Sequence, residues 1–440
     1  MSKSKIIAIA DVANHVDENV TVRGWVQTIR DQSKIKFMII RDVSGTVQSV
    51  LLTSAKQPFE LSADITTESV IALTGKAVAA KQAPGGVEIV AEHIEALSLA
   101  DPQLPIQVID KNEEEADLNT RLDWRWIDLR KPEKQLLFKT WTVMDQAFHN
   151  HLVDNGYIQI YSPKLINTAS ESGAEVFEVA YFDRKAYLAQ SPQFYKQMAM
   201  ASGLEKVFEA GPVFRAEPSF TTRHSTEFTG YDLELAYVDS HQDVMEVQEE
   251  LLVAMMQAAK KAYGPAISEH YGERVVVPSR PFPQVTLQEA KEMLQAAGVK
   301  SEKADDLNPE EERELSKLIQ ARDGHEFVFV TDYPVTARPF YHMRYEDKPG
   351  LTKSYDLLFR GIEITTGAQR EHRHEVLIAQ AQEKHMDLDS LSFYFNFFKY
   401  GCPPHGGLGM GPNRLLMRLF NVPSLREAMY VYRGPHRLVP

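Results

Sequence analysis

The chain of 440 residues is longer than a single ordinary hydrophobic core, so we expect two domains. Its composition, 43% hydrophobic and 25% charged, is typical of a soluble protein, and no run approaches the ~20 apolar residues of a membrane span, which favours a cytoplasmic location. The net charge of −13 argues against broad non-specific binding to nucleic acid, and the single cysteine, Cys402, excludes an intrachain disulfide and a cysteine-based zinc site.

Short apolar runs separated by polar turns fill the first 100 residues. They lie at residues 20–26, 35–42, 46–52, 70–77 and 87–91. Five runs at strand spacing are typical of a small closed β-barrel. We therefore predict a five-stranded OB-fold over residues 1–100, a barrel that often binds nucleic acid.

The next segment lacks a periodic apolar face. Residues 101–120 contain two prolines and the charge run KNEEE, so we predict a linker there. A second domain is expected over residues 121–440, opened by a helix at residues 133–155, where apolar side chains recur at helical spacing.

Strand-like and helical segments then alternate, and hairpin-like turns join most neighbouring strands. This order predicts an α+β domain with a largely antiparallel sheet flanked by helices. Residues 264–335, with an acidic helical patch, are predicted to form an inserted subdomain.

Residues 211–234 read GPVFRAEPSFTTRHSTEFTGYDLE, in which a loop rich in Arg, His and Thr joins two predicted strands. Arg215 ends the first strand, and Arg223 and His224 lie in the loop. One guanidinium group can donate two hydrogen bonds to the oxygens of a phosphate, so this segment suits the binding of a polyphosphate. On these residues alone, a surface salt-bridge network remains the alternative.

This segment resembles motif 2 of the class II aminoacyl-tRNA synthetases, specifically of the aspartyl enzymes in subclass IIb. Residues 156–165, GYIQIYSPKL, are similar to motif 1, and residues 406–415, GGLGMGPNRL, are similar to motif 3. RLDWRWIDLR at residues 121–130 and LAQSPQFYKQ at residues 188–197 extend the resemblance over essentially the whole chain. The large domain of the bacterial type, between motifs 2 and 3, is missing. The resemblance is therefore to the short archaeal and eukaryotic-like type.

The resemblance implies a site for ATP. Arg215 would bind the α-phosphate, Phe228 would stack on adenine, and Arg414 would cover the other face of the base. Arg215 and Arg414 are the implied catalytic residues. The full implied ATP-binding set is Arg215, Glu217, Arg223, His224, Phe228, Glu363 and Arg414.

The resemblance also implies sites for Mg²⁺ and L-aspartate. Asp356 and Glu363, seven residues apart, with the hydroxyl of Thr366, would hold Mg²⁺. Solvated acids on a strand are the alternative from the residues alone. The implied aspartate-binding set is Glu171, Gln193, Lys196, Asp232, Thr366 and Arg370. Lys196 and Arg370 suit the side-chain carboxylate, and Asp232 suits the α-ammonium group.

In this family the OB-fold binds the anticodon, so tRNA is the expected partner and DNA is not. Phe37 would stack on a base, and Arg30, Gln48 and Glu88 would read base edges. A buried strand residue is the alternative for Phe37. Residues 82–86, QAPGG, offer few side-chain donors, so we expect tRNA(Asp) and, as a hypothesis, also tRNA(Asn). A homodimer with Pro163 at its interface is also implied.

Two departures from the family pattern keep alternatives open. Asn413 stands where motif 3 usually has a glutamate, and the end VYRGPHRLVP differs from the family pattern FPRDPKRLTP. The alternatives are an aspartyl-adenylate-forming biosynthetic enzyme or amide ligase, and a non-catalytic, tRNA-binding regulatory paralogue.

Overall fold

The computed structural model describes residues 5–109, 115–170, 176–218 and 221–440. By its internal contacts the chain divides into two units, Met1–Pro132 and Glu133–Pro440. Among the described residues, no helix is both long and apolar enough to cross a membrane.

The first unit is built mainly of strands. Its strands are β1 (Lys5–Ile6), β2 (Asn19–Asp31), β3 (Ile35–Asp42), β4 (Gly45–Leu52), β5 (Val70–Ala79) and β6 (Val87–Ser98). Helix α1 (Lys56–Leu61) and 3₁₀ turns at Ile9–His15 and Pro84–Gly86 connect them, and the short helices α2 (Leu118–Asp123) and α3 (Arg125–Asp128) follow.

Strands β2 to β6 close into a barrel because β2 pairs with both β3 and β5, in the order β2-β3-β4-β6-β5. The predicted five-stranded OB-fold is confirmed, and β1 adds to β2 in parallel. Alternate side chains such as Val22, Met38 and Ile89 fill the interior. At Gly75, a Cβ atom would lie 2.1 Å from the carbonyl oxygen of Val90, so only glycine allows these strands to approach.

The second unit mixes strands and helices. Its first half contains α4 (Pro132–Asp154), β7 (Ile158–Gln159), β8 (Leu165–Ile166), β9 (Glu178–Tyr181), β10 (Arg184–Leu188), α5 (Gln193–Ala201), β11 (Lys206–Phe214), β12 (Glu227–Ala236) and α6 (His241–Tyr271). Its second half contains β13 (Gln284–Thr286), α7 (Leu287–Ala296), α8 (Pro309–Asp323), β14 (Phe327–Thr331), β15 (Ser354–Phe359), β16 (Ile362–Arg370), α9 (His374–Glu383), α10 (Ser392–Lys399), β17 (His405–Met410) and α11 (Pro412–Leu419).

Eight strands form the main sheet, in the order β13-β14-β15-β16-β17-β12-β11-β7. The six central strands pair antiparallel, as predicted, whereas the edge strands β7 and β13 pair in parallel with β11 and β14. These edges have only two and three residues, too few for a periodic signal. Residues 264–335, expected as an inserted subdomain, supply β13 and β14 to this sheet and α7 and α8 beside it.

Candidate active site

A cavity of about 400 Å³ lies against strands β11, β12, β16 and β17. Its walls bring together twelve of the predicted ATP and aspartate residues, although these come from segments far apart in the chain. They are Gln193, Lys196, Arg215, Glu217, Arg223, His224, Phe228, Asp232, Glu363, Thr366, Arg370 and Arg414. Asp356 is buried behind the wall and is not among the lining residues. Glu171 lies outside the described residues.

Sheet register explains how two acidic side chains of β12 fit against β17, with Asp232 lining the cavity and Glu234 fully buried next to it. Asp232 pairs with Gly409, and Glu234 pairs with Gly407. A Cβ atom at Gly407 would lie 2.1 Å from Oε2 of Glu234, so the glycine leaves the space that the carboxylate occupies. Because β17 has glycine at these two positions, the carboxylates of Asp232 and Glu234 can lie against its backbone.

Two cations share these carboxylates at one end of the cavity. Nζ of Lys196 lies 2.9 Å from Oδ1 of Asp232 and 3.3 Å from Oε2 of Glu234. Arg370 donates from Nε to Glu234 at 3.0 Å and from Nη2 to the carbonyl of Gly407 at 2.9 Å. Burial alone would raise the pKa of Glu234, but the charges of Arg370 and Lys196 outweigh it and lower that pKa.

His342 completes the surroundings of Arg370. Its Nε2 lies 2.9 Å from Nη1 of Arg370, and since a guanidinium only donates, the imidazole accepts and is neutral at this nitrogen. Burial, followed by the charge of Arg370, lowers the pKa of His342 well below its ordinary value. The ring therefore supports the cation without adding charge to the cavity.

A chain of hydrogen bonds fixes the amide of Gln193. Nδ1 of His405 lies 2.8 Å from the carbonyl oxygen of Pro403, so it carries the proton and Nε2 accepts from Gln197 at 2.9 Å. Oε1 of Gln197 then accepts from Nε2 of Gln193 at 2.9 Å and from the hydroxyl of Tyr394 at 2.7 Å. Gln193 is left with Oε1, an acceptor that suits an ammonium group.

Guanidinium groups surround Glu363 at the other end of the cavity. Arg414 donates to the carbonyl of Glu363 at 2.9 Å and lies 3.6 Å from its carboxylate. Burial would raise the pKa of Glu363, but Arg414, Arg338, Arg223 and Arg215 together lower it. The ring of Phe228 lies 5.5 Å from the guanidinium of Arg215. This end can bind a polyanion beside an aromatic face.

The two carboxylates predicted to hold a metal converge on one hydroxyl. Oγ1 of Thr366 lies 2.8 Å from Oδ1 of Asp356 and 3.3 Å from Oε1 of Glu363. Oδ2 of Asp356 pairs with Nη2 of Arg338 at 2.7 Å. Within the described residues, no cluster of three or more metal-ligating side chains occurs. The carboxylates of Asp356 and Glu363 and the hydroxyl of Thr366 are oxygen donors, the kind of ligand that suits Mg²⁺ when phosphate and water supply its other ligands.

The two departures noted in the sequence have structural roles. Asn413 is buried and donates from Nδ2 to the carbonyl of Ala428 at 2.9 Å, which ties α11 to the segment after it. The carbonyl of Arg433 accepts from Oγ of Ser225 at 2.8 Å and from the backbone of Thr226 at 3.1 Å. The unusual C-terminal end thus supports the loop that carries Arg223 and His224.

Sequence analysis missed Glu234, Arg338 and His342. Glu234 could have been found, because it lies two residues after Asp232 on a strand and so shares its face. Arg338 and His342 lie between β14 and β15, in a segment without regular secondary structure. Only the folded chain brings them to the cavity.

On the barrel, the predicted anticodon residues lie on one outer face. Phe37 pairs with Arg30 across β2 and β3, while Met38 and Ile40 on the opposite face fill the core. Phe37 is only half-buried and lies outside that core, so it is not an interior residue. Gln48 donates from Nε2 to Oε2 of Glu88 at 2.9 Å.

Comparisons with protein families and with related proteins agree with the two-domain fold described above. The chain matches the family of class II tRNA synthetases (D, K and N) over residues 117–431, and the OB-fold nucleic acid binding domain over residues 20–97. It is 40% identical to the aspartate–tRNA(Asp/Asn) ligase of Aeropyrum pernix, covering 100% of both chains. It is 41% identical to the aspartate–tRNA(Asp) ligase of Pyrococcus abyssi, covering 96% of both.

A solved structure resembles the whole chain. Asparaginyl-tRNA synthetase from Pyrococcus horikoshii, complexed with asparaginyl-adenylate, superposes with a TM-score of 0.92 at 32% sequence identity and covers 100% of both chains. The catalytic-domain fold and the barrel thus occur together in a solved protein of similar length. The chain belongs to the class II tRNA synthetases (D, K and N) and carries their OB-fold domain.

Proposed function

We propose that this enzyme is an aspartate–tRNA ligase, which activates L-aspartate with ATP and transfers the aspartyl group to the 3′ end of tRNA(Asp). The observation that carries the proposal is the pair of cations, Lys196 and Arg370, that Glu234 holds at one end of the cavity. A side-chain carboxylate is attracted by both cations, whereas the amide of asparagine brings no anion and lysine brings a further cation.

The first step joins aspartate to the nucleotide. An oxygen of the α-carboxylate attacks the α-phosphorus of ATP, pyrophosphate leaves, and aspartyl-adenylate forms. Arg215, Gln193 and Asp232 all line the cavity. In the proposed reaction Arg215 neutralises charge at the α-phosphate, and Gln193 and Asp232 accept hydrogen bonds from the α-ammonium group. Such a reaction needs positioning and charge neutralisation more than covalent catalysis by the protein.

The second step transfers the aspartyl group to tRNA. A hydroxyl of the terminal ribose attacks the carbonyl carbon of the adenylate, its proton leaves, and AMP departs as the ester bond forms. Mg²⁺ would be held by Glu363 and Thr366, with Asp356 behind them, and would supply charge neutralisation at the phosphates.

Recognition of tRNA is assigned to the outer face of the barrel that carries Phe37, Gln48 and Glu88. Relaxed specificity for tRNA(Asn) is supported by the turn at Pro84–Gly86, where Gly85 and Gly86 have φ angles of 75° and 73° and no side chain. Gln27, at a β-bulge between Val26 and Thr28, would offer a side-chain amide to the discriminating base, and this contact is the argument against relaxed specificity.

We also assign a homodimer. Tyr161 is 80% exposed, and Ile158 and Leu165 are also exposed, so apolar side chains lie on both sides of the exposed Pro163. Such a patch on one subunit suits a symmetric interface with a second copy. Light scattering at micromolar concentration tests this assignment, and a fully active monomer would contradict it.

Amino-acid-dependent exchange of pyrophosphate into ATP tests the proposed activity. Aspartate should support exchange, and asparagine and lysine should not. Exchange with asparagine would assign the enzyme to asparagine activation instead. Exchange with aspartate but no charging of any tRNA would favour an adenylate-forming biosynthetic enzyme, and no exchange with any amino acid would favour a regulatory paralogue.

A further inference from the structure

Glu312, on helix α8, reaches the predicted ATP site from outside the three family motifs. Its side chain is nearly fully buried. Nη1 of Arg223 donates to both carboxylate oxygens, at 2.8 and 2.7 Å. The backbone N–H of Glu363 donates to Oε2 at 3.1 Å. One carboxylate therefore joins the loop between β11 and β12 to the start of β16.

Helix α8 is a rigid base for this carboxylate. Asn308 caps its N-terminus in a capping box with Glu311, and Gly324 ends it with a φ angle of 68°. Leu315 and Ile319 pack into a hydrophobic cluster with side chains of β14 and β15. Glu312 is thus held by the core of the domain, whereas Arg223 comes from a loop.

A buried carboxylate is costly unless charged or polar groups compensate it. Here both compensating groups come from residues that line the cavity beside Arg414. The contact with Glu312 already fixes the long side chain of Arg223. The conformational entropy of that side chain is therefore not lost again when a ligand binds. A pre-ordered guanidinium binds phosphate oxygens more strongly than a mobile one.

We propose that Glu312 is a positioning residue for ATP, holding Arg223 and the backbone of Glu363 in the arrangement that receives the triphosphate. The inference rests on the proposed function, because it takes ATP as the ligand of this end of the cavity. It also gives residues 264–335 a role in the reaction, beyond completing the sheet.

The variant Glu312→Gln tests this proposal in aspartate-dependent pyrophosphate exchange. The amide keeps the shape but loses the charge that orients Arg223, so KM for ATP should rise by about tenfold while KM for aspartate stays within about twofold. Glu310→Gln is the matched control, since Glu310 is exposed on the first turn of the same helix. It should leave both KM values unchanged.

A double-mutant cycle with Arg223→Met separates positioning from a general structural role. If Glu312 acts through Arg223, adding Glu312→Gln to Arg223→Met should change KM for ATP by less than about twofold. Additive effects, or an unchanged or lower KM for ATP in Glu312→Gln alone, would overturn the proposal. If Glu312→Gln does not fold, Glu312→Asp is used instead: its shorter side chain draws the carboxylate away from Arg223 and from the backbone of Glu363, so KM for ATP should again rise while KM for aspartate does not. A wild-type protein without exchange would instead overturn the proposed function.

Discussion

Arg370 donates a hydrogen bond from Nε to the buried carboxylate of Glu234 at 3.0 Å. Lys196 pairs with the same carboxylate. Removing the negative charge of Glu234 would therefore leave two buried cations without part of the anionic charge that neutralises them. We expect Glu234→Gln to lower the free energy of unfolding by about 3 kcal/mol, as for other broken buried ion pairs. Urea denaturation measures this change, and the exposed Glu246→Gln is the control. A loss no larger than in the control would contradict the assigned role of Glu234.

Arg215 offers a cleaner test of catalysis than Arg370, because Arg215 is only half-buried whereas Arg370 belongs to the buried ion pairs. Arg215→Ala should reduce aspartate-dependent pyrophosphate exchange by at least about a hundredfold, since it removes a cation from the developing charge at the α-phosphate. The circular dichroism spectrum should stay that of the wild type. Near-normal exchange in the folded variant would exclude Arg215 from the ATP site.

His405 should make stability depend on pH. Burial lowers the pKa of its imidazole from 6.5 to about 4. Between these values the unfolded chain binds a proton that the folded chain does not, so the free energy of unfolding falls as pH decreases from 6.5 towards 4. The slope from one such histidine is up to about 1.4 kcal/mol per pH unit.

Urea denaturation at pH 7 and pH 5 measures this slope. His405→Asn should make the dependence shallower, whereas replacing the exposed His270 by Gln should leave it unchanged. Equal slopes in all three proteins would mean that His405 is not held neutral by burial.

Phe37 should matter for tRNA and not for ATP. Because its ring lies half-exposed on the outer face of the barrel, Phe37→Ala should raise KM for tRNA by the equivalent of about 1 to 3 kcal/mol, the usual worth of stacking on one base. Pyrophosphate exchange, which needs no anticodon, should be unchanged. A variant with normal KM for tRNA would remove Phe37 from the anticodon surface.

Local pattern predicted the elements with clear periodicity. Helix α4 follows the apolar spacing of residues 133–155, and the barrel strands follow the alternation in the first 100 residues. The edge strand β13 was missed because pairing with β14, not its own sequence, makes it a strand.

The residues of the candidate site can also be divided into those that a local sequence pattern predicts and those that it does not. Residues in recognisable motifs, such as Arg215 and Arg370, could be named from the sequence and lie in one cavity. Arg338 and Glu312 act through contacts with residues 18 and 89 positions away, which no local pattern specifies. Asn413, an apparent departure from the family, proves to support the chain after α11 through Ala428.

The most direct test of the account is charging of purified tRNA(Asp) and tRNA(Asn) with labelled aspartate. We expect aspartate to be attached to tRNA(Asp) and, because the turn at Pro84–Gly86 offers few contacts to a base, also to tRNA(Asn). A preference for tRNA(Asp) above roughly a thousandfold would be larger than the loss of one base contact explains. It would contradict relaxed specificity for tRNA(Asn), but not the proposed aspartate–tRNA ligase activity. Failure to attach aspartate to either tRNA, with asparagine attached instead, would contradict the central claim that this enzyme is an aspartate–tRNA ligase.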